Sequence, residues 1–229
     1  MSVSRIAYCI SRIVFALLHQ SSSRRNQNAD AIAALRKGIE LRPDDSASGL
    51  LPANVLWRDG QLEEAQAAGR RAAELRPDDP LAHGTLGMVL VASQQYTAAV
   101  PSLQQAVTLS PTYGLALQFL GNAHYRLGQL DEAVSAIRRA RDADPANAEV
   151  QVLYAFALAE QGRADEAFAE AQRALEMQAD PNNPLLQYAL GVGYRAQGKT
   201  AEAEAAFEAV VDNAGTEPAL REKARALIP

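Results

Sequence analysis

Residues 193–200 read GYRAQGKT and match the phosphate-loop pattern G-x-x-x-x-G-K-[ST]. In that chemistry Lys199 would lie on the phosphates and Thr200 on a magnesium ion, with backbone N–H groups cradling the anion. The other groups able to do chemistry are scattered. His19, His83 and His124 form no short metal-binding spacing, of the kind two ligands on one helix turn would need. Asp131 and Glu132 lie close to His124 and would make an acid/base set. No G-x-S-x-G elbow is present, and Cys9 is the single cysteine. A lone thiol excludes an internal disulfide framework and a cysteine-rich zinc site, and Cys9 has no evident activating neighbour.

A phosphate loop needs a strand before it and a helix after it, so the elements around these residues decide. The chain has 229 residues, 48% of them apolar and only 6% aromatic, with alanine prominent. That mixture suits close-packed helices better than a sandwich of β-branched and aromatic strands. The net charge of −5 argues against a nucleic-acid binder, which would carry a basic face. The N-terminal RIAYCISRIVFALLHQ is interrupted by Arg12 and lacks an A-x-A site. It is also too short to span a bilayer. Ile6, Ile10, Ile13 and Leu17 recur at helical spacing, so residues 5–20 are expected to form an amphipathic helix followed by the polar SSSRRNQN. The expected compartment is the cytoplasm, with a periplasm also compatible.

Two ladders organise the chain. Pro43, Pro77, Pro111 and Pro145 keep one interval and Pro181 follows two residues late. Ala31, Ala65, Ala99, Ala133 and Ala167 keep the same interval, and Ala203 shows the same delay. The shared insertion therefore lies between Ala167 and Pro181, within the EMQAD region. Aligned on these ladders, VLWRDGQLEEA, AHYRLGQLDEA and ALAEQGRADEA each read as a helix end, a glycine turn and a helix start. Gly60, Gly128 and Gly162 take the turn, where glycine tolerates a left-handed conformation. Acids follow in the first turn of the next helix, matching its dipole. RPDD and the DP-x-N strings then close the second helix and supply a cap for the next.

In this register the phosphate-loop string loses its meaning. Gly198 is the turn glycine of the last full repeat, Gly193 replaces Ala123 inside a first helix, and Lys199-Thr200 replace Gln129-Leu130. LLQYALGVG continues a helix, and no apolar strand ends in an aspartate that could hold magnesium. The acid pair is repeated as Asp165-Glu166 without a histidine, so it reads as a helix start. His124 occupies an aromatic packing position. The reading is a non-enzyme with no cofactor and no metal.

These residues resemble the tetratricopeptide repeat family, whose period is 34 residues and whose pattern runs W…LG…Y…A…F…P. Leu86-Gly87, Leu120-Gly121 and Leu190-Gly191 carry the LG pair, with Tyr154-Ala155 as a variant. Leu90, His124, Leu158 and Tyr194 take the aromatic position, and Leu103, Ile137, Ala171 and Phe207 the large apolar site of the second helix. The resemblance covers residues 28–213 and implies an all-α, right-handed superhelical solenoid of antiparallel helix pairs. Residues 1–27 are assigned to the N-terminal helix and polar loop of a degenerate first repeat. Repeats are expected near 12–45, 46–79, 80–113, 114–147, 148–183 and 184–216, with a capping helix over 217–229. Pro52 is expected to shorten or kink one first helix, and Pro101 to sit awkwardly in the early turns of a second one.

The resemblance also implies that first helices line a concave groove for a peptide or helix. The groove residues expected by register are Met88, Gln118, Phe119, Asn122, Tyr125, Arg126, Val152, Phe156 and Tyr188. Leu81, Thr85, Leu115, Glu160, Val192 and Arg195 are expected beside them. Family members that clamp chaperone C-terminal carboxylates use lysines, asparagines and an arginine at fixed positions. Only Asn54 and Asn122 match here, and Gln118, Leu115 and Val152 stand at the lysine sites. The expected partner is therefore a protein or peptide other than such an acidic tail, bound by a non-catalytic scaffold. Nucleic acid and a membrane span are not expected, and self-association through the apolar strip stays open. The alternative reading is a repeat module of a larger sulfotransferase- or glycosyltransferase-type enzyme, or an assembly factor, with its catalytic part outside this chain.

Overall fold

The computed structural model describes Ala53, Leu56, Trp57 and residues 59–228. The helices expected at 5–20 and 29–41, the Pro52 kink, and Cys9, His19 and Asn54 lie outside the described residues. The chain divides into two compact units at Pro111/Thr112.

The described part of the first unit contains α1 (Leu62–Leu75), α2 (Pro80–Ala92) and α3 (Tyr96–Leu109). The second contains α4 (Gly114–Arg126), α5 (Leu130–Ala143), α6 (Ala148–Glu160) and α7 (Ala164–Glu176). It continues with α8 (Pro184–Ala196), α9 (Thr200–Asp212) and α10 (Pro218–Arg225). Among the described residues there is no strand.

Each turn inside a pair has the same chemistry. Gly60, Gly128, Gly162 and Gly198 adopt φ of +82, +75, +81 and +74°. The following N–H bonds back to the third-last helical carbonyl, as in Gln129 N–H to the His124 oxygen at 2.9 Å and Lys199 N–H to the Tyr194 oxygen at 3.0 Å. This is a Schellman closure, which satisfies carbonyls a helix end would otherwise leave open. Between α2 and α3 the same place is held by Gln94, at φ +58°. The two-residue insertion after α7 uses the device again: Gln178 has φ +63°, and Ala179 N–H reaches the Ala174 oxygen at 3.0 Å.

Helix starts follow the expected caps in part. Asp79 accepts from Leu81 N–H, and Asn147 and Asn183 each accept from two backbone N–H groups, opening α2, α6 and α8. The α4 start lacks such a cap, with Tyr113 at that position. Pro101 is the sixth residue of α3 and exposed. It removes one intrahelical donor on the solvent side, and the helix runs on through it.

Packing then selects residue size. In the first unit α2 packs on both α1 and α3; in the second, each helix from α4 to α10 packs on the next, and α6 also touches α8. A Cβ at Gly87 would fall 2.4 Å from Leu103 Cγ, one at Gly121 2.4 Å from Ile137 Cγ1, and one at Gly191 2.7 Å from Phe207 Cε1. The first helix thus offers a bare backbone where the second presents a large side chain. On α6 and α7 the matching positions are Ala155 and Ala171, both fully buried. The helix α6 is apolar nearly all round and forms the middle of the second core. Leu220 and Ala224 of α10 close that core, so the C-terminal helix acts as its cap.

Candidate functional site: a concave pocket in the second unit

The helix α4 presents Gln118, Phe119, Asn122, Tyr125 and Arg126 on one face, at the i, i+1, i+4, i+7, i+8 spacing that a helical stripe requires. Leu153, Phe156 and Ala157 of α6 stand next to it, and Asn183, Pro184 and Leu185 bring in the start of α8. These residues line an open pocket of about 510 Å³. Ile137 contributes from α5, and the far wall is the segment Gly215, Thr216 and Glu217 that leads into α10, together with Ala219 and Leu220 of α10 itself. The floor is aromatic and aliphatic, and the rim carries amides and the Arg126 guanidinium.

Of the nine groove residues expected from sequence, the pocket brings together Gln118, Phe119, Asn122, Tyr125, Arg126 and Phe156. Phe119 and Tyr125 are half-buried, while Asn122 and Arg126 are exposed. Val152 and Tyr188 are buried behind it, and Met88 is buried in the first unit on α2. Phe156 is itself buried and forms the middle of an aromatic row. Its ring centroid is 5.5 Å from Tyr125 and 5.7 Å from Tyr188, which in turn is 6.0 Å from Phe207. Edge-to-face contacts of this kind fix ring orientation as well as burying area.

The far wall was not legible in the repeat register. Arg126 pairs with Glu217, the residue just before α10. One helix turn and a half further on, Lys223 pairs with Glu160 and donates to the Tyr125 hydroxyl at 3.2 Å. Tyr125 donates to Glu160 Oε2 at 2.8 Å. Burial, reinforced by the neighbouring Glu160 carboxylate, raises the Tyr125 hydroxyl above its ordinary pKa. The same two causes raise Tyr188 further. For Lys223, burial works against the ammonium, but its bonds to Glu160 and Tyr125 outweigh that and hold its pKa up.

The phosphate-loop string has no loop geometry. Residues up to Ala196 belong to α8, Gly198 is the turn and Thr200 begins α9. Lys199 lies over the Tyr194 ring at 5.7 Å. His124 is buried, with Nδ1 2.7 Å from Gln129 Oε1, and His83 Nε2 is 2.8 Å from the Pro77 oxygen. Among the described residues no group of three or more His, Cys, Asp or Glu side chains is arranged to hold a metal ion. Among them, too, no helix is long and apolar enough to cross a membrane.

Three models of the tetratricopeptide repeat match the chain, at residues 90–155 and 128–177, at 22–80 and 50–114, and at 184–209. The chain belongs to the tetratricopeptide repeat family. Its helix pairs are those of such a solenoid, and the family's coarse role, a protein-interaction scaffold, is this chain's role. No curated protein sequence matches it. Among solved structures it is similar to YrrB, a TPR protein with an unusual peptide-binding site. The two share 25% identity at a TM-score of 0.66, with 86% of this chain and all of YrrB covered. MamA of Desulfovibrio magneticus RS-1 is 23% identical, with a TM-score of 0.65 over 75% of this chain and 94% of its own. A thermophilic TPR protein of Thermus thermophilus is 22% identical, with a TM-score of 0.56 over 80% and 98%. The last two likenesses concern the fold.

Proposed function

We propose that this chain is a non-catalytic scaffold whose second unit binds a protein partner through a peptide or amphipathic helix seated in the concave pocket. The observation that carries this reading is the pocket's make-up: a volume of about 510 Å³, an apolar floor of Phe119, Leu153, Phe156 and Leu185, and the polar rim of Gln118, Asn122, Arg126 and Asn183. An apolar anchor residue fits the floor, as interface hot spots do. The amides can bond the backbone of an extended peptide, or the end of a helix laid across the face. The peptide-binding site of the similar YrrB supports the same use of this fold.

The test is a selection of displayed random peptides on the full chain, followed by titration of the selected peptides against Phe119→Glu/Asn122→Ala. Binding should fall at least about tenfold, the equivalent of one lost anchor contact, with the far-UV circular dichroism unchanged. Peptides that bind wild type and variant alike would refute the pocket as the site.

A further inference from the structure

The carboxylate of Glu160 is enclosed, with a side chain only 6% exposed. A carboxylate at that depth is strongly penalised unless hydrogen-bonded and paired. Its surroundings are built for a cation. The Tyr125 hydroxyl donates to it at 2.8 Å, and the Tyr125 ring lies 5.5 Å below the ammonium that it holds. Phe156 and Tyr188 continue the aromatic wall. A carboxylate beside a ring face is the combination that selects a desolvated ammonium group.

The cation in place is Lys223, which comes from a helix of only eight residues whose start is fixed by Arg221 to the Val211 and Asn213 oxygens. Lys223 reaches in from the solvent side, its side chain still 46% exposed. The second tether, Arg126 to Glu217, also has an exposed partner, since Glu217 is 61% exposed. The Lys223 tie therefore joins an enclosed carboxylate to an outer ammonium that water can reach, and the Arg126 tie joins two groups that water reaches. The enclosed carboxylate needs a cation, but not this one, so a competing ammonium that keeps Glu160 paired can take the place of Lys223. Tyr125 belongs both to this cage and to the pocket wall, so a peptide in the pocket has the cage within reach. Arg195 of α8 is a further cation near this wall, where its charge acts on the Tyr188 hydroxyl, and it is exposed.

We propose that Glu160 and Tyr125 form a lysine-recognition subsite of the concave face, with Lys223 as its intramolecular occupant and a lysine of the bound peptide as its exchange partner. This deepens the peptide-binding reading and rests on it. The partner segment it implies carries a lysine close to a bulky apolar residue.

The test uses the full chain with Lys223→Ala and, should that fold poorly, Lys223→Met, which keeps the stem. The probe is n-butylammonium chloride, compared with sodium chloride at equal ionic strength. Butylammonium should raise the Tm of either variant by roughly 1–2 °C over the sodium salt, as a ligand of the folded state does. It should leave wild type and Glu160→Gln/Lys223→Ala unmoved. No gain over sodium in both single variants, or an equal gain in the double variant, overturns the proposal. Peptides selected as above form the second arm. Loss of affinity in Glu160→Gln that is confined to lysine-bearing peptides supports the subsite. Peptides that depend on Phe119 but ignore Glu160→Gln overturn the subsite and leave the pocket standing. Peptides that ignore both changes overturn the pocket as well.

Discussion

Gly193 of α8 lies so close to Phe168 of α7 that a Cβ at 193 would fall 2.4 Å from Phe168 Cβ. The glycine that opens the phosphate-loop string is therefore a packing residue between neighbouring pairs. The second one, Gly198, is a turn residue at φ +74°.

Gly193→Ala puts two effects in opposition. Alanine favours the helix interior over glycine by about 1 kcal/mol. Against that, the methyl group must push aside the root of Phe168, which cannot swing away as a side-chain tip could, and overpacking costs about 1–3 kcal/mol. The expected outcome is a net loss of stability, read as a lower urea midpoint at unchanged slope. Lys199→Ala, at an exposed surface residue, should shift stability by no more than about 0.5 kcal/mol. A Gly193→Ala protein more stable than wild type would falsify the contact.

Ala133→Leu tests the contact inside a pair. Ala133 of α5 is buried, and its carbonyl oxygen would lie 3.3 Å from a Cβ on Gly121 of α4. Neither helix has room to accept a larger neighbour here without separating. The expected cost is about 1–3 kcal/mol, seen as a lowered Tm. An unchanged Tm would show that α4 and α5 are not held at this distance.

Gln94→Gly should stabilise the first unit. The left-handed region costs a residue with a Cβ about 1–2 kcal/mol, while the greater unfolded-state entropy of glycine offsets part of the relief. Gln94, at φ +58°, is in the place that glycine holds in the other turns. The net gain expected is about 0.5–1 kcal/mol, measured by chemical denaturation. A loss on this substitution would mean that the glutamine side chain makes a contact worth more than the strain.

How far the sequence could be read follows from the range of the contacts. The alanine and proline ladders report pairings between neighbours in a stack, so Gly60, Gly128, Gly162 and Gly198 and the helices on either side of them were legible. Gln94 was not, because the backbone conformation persists where the glycine signal is missing. The α4 half of the site, Gln118 to Arg126, came from register alone. Its far wall did not, because Glu217 meets Arg126 and Lys223 meets Glu160 across long stretches of chain. A period of nearest-neighbour contacts carries no record of a terminal helix turned onto the concave face. Glu160 was expected near the groove, but nothing in its sequence neighbourhood marked it as enclosed.

That enclosed cluster makes the second unit sensitive to alkali. Tyr125, Tyr188 and Lys223 all have folded-state pKa values above their ordinary ones. Ordinary tyrosine and lysine titrate near pH 10 and about 10.4. As the pH passes that range, the unfolded chain releases these protons first while the folded chain still holds them. The folded state then binds more protons than the unfolded one, so stability falls with rising pH until the folded groups titrate too. Below about pH 9 both states are protonated and the three groups give no slope. The urea midpoint of wild type should therefore be level from pH 7 to 9 on their account and decline from pH 10 upward. Tyr188→Phe removes the largest of the three shifts together with its proton. Its midpoint should decline less steeply over the alkaline range, whatever it loses at neutral pH, and the difference between the two curves cancels the common background of other lysines. Parallel declines in wild type and Tyr188→Phe would show that the Tyr188 hydroxyl is not buried near the Glu160 carboxylate in solution as it is in the structure.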